Sequence, residues 1–135
     1  MRDLRLAVET VVAWLLLALS PGLLFAANAT TPGVLSFPNP TLENISIVWL
    51  ITGDDDNDSV VTVRYREAGN PSWLTGTPLA RVPAGTNPTN DWSWPNRHAG
   101  SVFDLHPATS YEIELTLTDP DGGSTSRTQS VTTRP

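Results

Sequence analysis

Three runs in this chain alternate apolar and polar residues with a period of two, and that pattern admits few folds. In "NISIVWLIT", Asn44–Thr52, residues Ile45, Ile47, Trp49 and Ile51 fall on one face. In "VVTVRYRE", Val60–Glu67, residues Val61, Val63 and Tyr65 share a face, with Thr62, Arg64 and Arg66 opposite. In "TSYEIELTLT", Thr109–Thr118, residues Tyr111, Ile113, Leu115 and Leu117 point one way and Glu112 and Glu114 the other. Successive side chains of a strand point to opposite faces. Each run is therefore a strand with one face in a core and one in water, the pattern of antiparallel sheets.

Weaker runs complete a set of seven. Val34–Phe37 and Pro78–Val82 are short candidates, and Ala99–Leu105 is a better one, with Phe103 and Leu105 expected inward. Ser124–Val131 is mostly Ser and Thr and suits an edge strand. "DPDGG", Asp119–Gly123, separates the last two strands as a hairpin turn, because glycine supplies positive φ without steric cost. Seven short strands punctuated by turns predict an all-β fold, a seven-stranded antiparallel β-sandwich.

The chain ahead of these strands reads differently. Arg2 and Arg5 make a basic start, Glu9 ends the polar segment, and "VVAWLLLAL", Val11–Leu19, is continuously apolar. Pro21-Gly22 breaks it, and Ala27 and Ala29 give the small-x-small pattern of a leader-peptidase site. Residues 1–29 are expected to be a signal peptide cut after Ala29, and residues 30–135 a secreted domain, periplasmic or on the cell surface in a bacterium. The rival reading is a membrane anchor. The run is too short to cross about 30 Å of hydrocarbon, so the mature domain is not expected in the membrane. "TTPG" after the cut reads as an exposed lead-in.

With the leader removed, six arginines face twelve acids, and the net charge stays at −6. An acidic surface argues against nucleic acid as a partner, since phosphates need a basic face. The sequence has no cysteine. A domain of this size buries roughly two-thirds of its unfolded surface, so its core must hold without disulfides.

"LHPATSYEIEL" carries a more specific signal. Leu105, Pro107, Thr109 and Tyr111 reproduce an L-x-P-x-T-x-Y pattern. It resembles the stretch that fibronectin type III domains carry before their sixth strand. Trp49 resembles that family's core tryptophan on the second strand, and Val61, Val63 and Tyr65 its third strand. The resemblance implies a tyrosine corner, with the Tyr111 ring buried and its hydroxyl bonded to backbone upstream. Gly53–Val82, followed by His98–Gly123, is also similar to the N-terminal fibronectin-like module of bacterial secreted proteins built on a right-handed parallel β-helix. There the β-helix would carry any polysaccharide-directed chemistry, and no β-helix turn occurs in these residues.

"GDDDND", Gly53–Asp58, falls between two strong strands, where a sandwich crosses from one sheet to the other. Asp54, Asp56 and Asp58 alternate as calcium ligands could, calcium taking six to eight oxygens. A solvated loop is the competing expectation, because Asp and Asn favour turns and the glycine and distal glutamate of an EF-hand are misplaced or absent.

No catalytic residue is assigned and no cofactor is expected. His106 occupies an x position and should face solvent, and His98 precedes the fifth strand. Neither has an elbow-type serine or cysteine nucleophile in sequence reach. Glu112 and Glu114 face outward. Trp92 and Trp94 in "NDWSWPN", with Trp73 after "GNPS", are the ligand-binding candidates, because flat indoles stack on sugar rings. The competing expectation folds them over an open sheet edge or docks them on a following domain. The chain therefore reads as a secreted, non-catalytic module, a spacer or docking domain of a larger extracellular, carbohydrate-active protein. The alternative is a free-standing binder using Trp92 and Trp94. The expected partner is a neighbouring domain or an extracellular polysaccharide.

Overall fold

The computed structural model describes residues 28–135, so the expected leader lies outside the described residues except for Asn28 and Ala29. Ten strands follow: β1 Thr31–Ser36, β2 Ile45–Thr52, β3 Val60–Glu67, β4 Leu74–Thr75, β5 Ala80–Val82, β6 Gly85–Asn87, β7 Trp92–Trp94, β8 Arg97–Val102, β9 Ser110–Thr118 and β10 Thr125–Thr132. They form two four-stranded antiparallel sheets, ordered β1-β2-β8-β5 and β10-β9-β3-β4, and a separate β6-β7 hairpin.

The alternation read from sequence is the alternation of burial. Ile45, Ile47, Trp49 and Ile51 from one sheet meet Val61, Val63, Ile113, Leu115 and Leu117 from the other. Trp49 is fully buried at their centre. All seven expected strands form, and β10 is an edge strand, as its polarity implies. The connection from β2 to β3 does cross between sheets, with "GDDDND" as the crossing loop. The turn after β9 uses Gly122 and Gly123, both at positive φ.

Four expectations are corrected. Phe103 does not point inward; it is 59% exposed. Strand β8 stops at Val102, and Asp104 adopts a φ of 57°, which breaks the alternation and returns Leu105 to the core from a turn. His98 lies inside β8 and is completely buried. "TTPG" is not an exposed lead-in: Thr30 is buried and β1 begins at Thr31. Finally, β4, β6 and β7 were not expected, because two- and three-residue strands rich in Gly, Asn and Trp carry no readable alternation.

Candidate functional site

The β6-β7 hairpin carries the exposed Trp92 and the half-buried Trp94. Its pairs, Gly85 with Trp94 and Asn87 with Trp92, continue the register of the β5-β8 ladder, in which Val82 pairs with Arg97. Pro83 and Pro95 lie in the gap between the two ladders, and neither has an N–H to donate. One long hairpin thus runs from the sheet into an arm that pairs with neither four-stranded sheet. Trp92 and Trp94 stand in β7, where regular structure had not been expected, and two residues apart they share a face. Their rings are 5.2 Å apart and tilted by 37°.

Trp94 is the fixed member. Its indole N–H donates to the Pro83 carbonyl at 2.8 Å. Gly85 lies directly beneath it, and a Cβ there would come within 2.4 Å of the ring. Trp92 rests against Trp94 with 56% of its surface exposed. The arm turns over at residues 88–91, where the Asn87 side chain accepts from the Thr89 N–H at 3.0 Å.

Trp73 is elsewhere. It lies beneath two guanidinium groups, with Arg66 4.4 Å and Arg64 4.9 Å from the ring centre. Those arginines pair across the strands with Glu112 and Glu114, each at 2.6 Å. The hydrogen bond and charge of Arg64 hold the Glu114 carboxyl below its ordinary range. Glu112 and Glu114 do face outward, and cross-strand pairing occupies them. Trp73 is thus held under these arginines on the β10-β9-β3-β4 sheet and is not part of the arm.

The aspartate loop divides in two. Asp54 is buried, with φ of 58°. Its Oδ1 accepts from the Ser59 N–H at 3.1 Å, its Oδ2 accepts from the Ser59 hydroxyl at 2.6 Å, and Arg81 pairs with the same oxygen. Arg81 also donates to the Asn96 side chain at 2.5 Å, and Asn96 donates to the Gly53 carbonyl at 2.9 Å. Burial alone would raise the Asp54 pKa, but the Ser59 hydroxyl, Arg81 and the Ser59 N–H together hold it below 3.8. Asp56 and Asp58 remain exposed. Partial loss of water and the neighbouring aspartates raise both above 3.8. Carboxylate oxygens of Asp54, Asp56 and Asp58 lie within 4.8 Å of one another, as do those of Asp58, Asp119 and Asp121. Asp56 and Asp58 thus face solvent, whereas Asp54 does not: its oxygens bind the protein itself.

Sequence reading missed the residues that complete this network. The Ser59 hydroxyl sits 2.9 Å from Nε2 of His98. Asp54, Ser59 and His98 resemble a hydrolase triad in composition, but the order differs. Serine lies between the acid and the imidazole, and all three are buried, so no substrate reaches the hydroxyl. Burial and the Arg81 charge push the His98 pKa down, with Asp54 opposing them. The cluster ties the β2-β3 crossing loop to β5 and β8.

The tyrosine corner is present. The Tyr111 hydroxyl accepts the His106 N–H at 2.9 Å, and its ring lies 6.4 Å from that of Tyr65. Leu105 is buried beneath it, and the Thr109 hydroxyl donates to the Pro107 carbonyl at 2.9 Å. His106 faces solvent and meets Glu67 at 2.8 Å.

Strand order, core tryptophan and tyrosine corner together define a fibronectin type III-like β-sandwich. The solved fibronectin type III domain of human fibronectin type III domain containing protein 3 is similar over 78% of this chain and 85% of its own, with a TM-score of 0.50 at 14% identity. Purple acid phosphatase PPD1 from yellow lupin seeds aligns over 76% of this chain but 19% of its own, with a TM-score of 0.48 at 20% identity. No family model and no curated protein matches the chain.

Proposed function

We propose that the chain is a non-catalytic, secreted module of a larger extracellular, carbohydrate-active protein, and that the β6-β7 arm is its contact surface. The observation that carries this reading is the Trp92–Trp94 pair, seated on a hairpin outside both sheets with Trp92 left exposed. A large apolar side chain held rigidly in water is a common anchor for an interface. Similarity to the modules that precede bacterial parallel β-helices supports a neighbouring domain as the partner. The buried, serine-centred order of the Asp54 cluster supports a non-catalytic role.

The exposed face of Trp92 also favours a second reading, in which it stacks on a sugar while Asn87 or Asp91 bonds the hydroxyls. The 37° tilt between the indoles suits one ring per sugar better than a continuous platform. Two experiments separate the readings. The coding sequence past Pro135 should continue into periodic short apolar strands if the module serves a β-helix; a stop codon there removes that support. Titration with soluble polysaccharide should leave the fluorescence unchanged if the arm meets protein, and should shift it in a Trp92-dependent way if the arm meets sugar.

A further inference from the structure

The chain enters the sandwich at Thr30, and it enters against a carboxylate. Asp119 is buried. Its Oδ1 accepts the N–H groups of Asp121 and Gly122, at 2.7 and 3.2 Å. Its Oδ2 accepts the Thr30 N–H at 2.8 Å and the Thr30 hydroxyl at 2.5 Å. The same Thr30 N–H also lies 3.1 Å from the Gly122 carbonyl. One hydrogen is thus shared between two acceptors, one of them charged. The approach depends on Gly123, where a Cβ would fall 1.7 Å from the Thr30 carbonyl oxygen.

Asp119 also has company of its own sign. Its carboxylate and those of Asp58 and Asp121 have oxygens within 4.8 Å of one another. Among the described residues none of the three pairs with an arginine or histidine. Four hydrogen bonds satisfy the oxygens of this buried carboxylate, but every donor is neutral, so its charge has no counter-charge beside it.

We propose that a leader peptidase hydrolyses the Ala29–Thr30 bond and that the new α-ammonium of Thr30 docks on Asp119 as an internal ion pair. This inference rests on residues 1–29 being a leader and is independent of the tryptophan arm. Water adds across the peptide bond: Ala29 departs as a carboxylate, and the Thr30 nitrogen becomes an ammonium. Leaders are cut from the chain before it folds, so the burial of Thr30 is no obstacle. Two acceptors, Asp119 Oδ2 and the Gly122 carbonyl, already converge on that nitrogen. The cut removes the Asn28 carbonyl from the Asp54 N–H, a neutral bond of 3.1 Å, and places a positive charge among three aspartates. The ion pair fastens the start of β1 to the β9-β10 turn.

The sequence has no lysine, so the α-amine is the sole amine of the processed protein and an acylating reagent reads it alone. The full chain with its leader is expressed in a secreting host, and the product is weighed by mass spectrometry. A first residue of Thr30 is expected. A retained leader or a cut elsewhere overturns the leader reading. The folded product is then treated with an N-hydroxysuccinimide acetate at neutral pH. Its amine should acylate about tenfold more slowly than the same protein in urea, the effect of one unit of pKa. Asp119→Asn should restore the fast rate and Asp121→Asn should not. If Asp119→Asn does not fold, the native sequence is acetylated in urea and refolded, and its melting temperature should fall by several degrees. A Thr30 product whose amine reacts as fast folded as unfolded, or whose melting is unmoved by acetylation, overturns the docking.

Discussion

The Tyr111 hydroxyl accepts the backbone N–H of His106 at 2.9 Å, and this bond closes the turn between β8 and β9 over the core. Tyr111→Phe keeps the ring and strands that N–H. It should cost about 1–2 kcal/mol, the usual penalty for an unmet buried donor. Tyr111→Ala also removes the ring and should cost about 3–5 kcal/mol. Against a total of roughly 5–15 kcal/mol, the alanine variant verges on unfolding. Urea titration checks both; equal midpoints for the two variants and the parent would remove the corner from the fold's support.

Asp54 and Asp55 are adjacent but should behave oppositely. Asp54→Ala leaves Arg81 largely buried with no carboxylate and should cost about 3–5 kcal/mol. Asp55 is exposed, and Asp55→Ala should stay within about 0.5 kcal/mol of the parent. Thermal melts of the pair decide this directly.

Acid should weaken the domain in two steps. Burial lowers the folded-state pKa of His98 below 6.5, so below that pH the unfolded chain binds a proton that the folded chain refuses. Stability is therefore full above pH 6.5 and declines as pH falls toward the folded pKa. Asp54 is also lowered, from 3.8, and its contribution is present above that pH and lost as pH falls through the folded value. Urea midpoints across the range should show the first decline in the parent and not in His98→Asn. An unchanged pH slope in that variant contradicts the assignment.

Calcium and magnesium should shift the melting temperature slightly and alike. Asp54 already gives its oxygens to Ser59 and Arg81, which leaves the loop short of the six to eight oxygens calcium takes. Asp56→Asn with Asp58→Asn should raise stability above pH 4 or so, because both carboxyls have raised folded-state pKa values and so oppose folding when ionised. A large calcium-selective shift, abolished by this double variant, would instead make the loop a metal site.

Period-two alternation made β2, β3 and β9 legible, since a half-buried strand writes its burial into every second residue. The corner was legible because its side chains are close in sequence. The Asp54–Ser59–His98–Arg81 cluster was not. Its members come from the crossing loop and strands β5 and β8, and only tertiary packing makes a polar residue such as His98 an inward-facing one. The arm was missed for a different reason. Its short strands are stabilised by an indole over Gly85 and a bond to Pro83, and neither leaves an alternating pattern.

The role of the arm is tested most directly by oxidative footprinting of the tryptophans, read residue by residue by mass spectrometry. In residues 30–135 alone, Trp92 should react fastest and the buried Trp49 slowest. In the protein as its gene encodes it, or with the polysaccharide it meets, Trp92 should become protected while Trp73 keeps its rate. If Trp92 reacts equally fast in all three settings, the arm touches neither a neighbouring domain nor a sugar, and the proposed function is wrong.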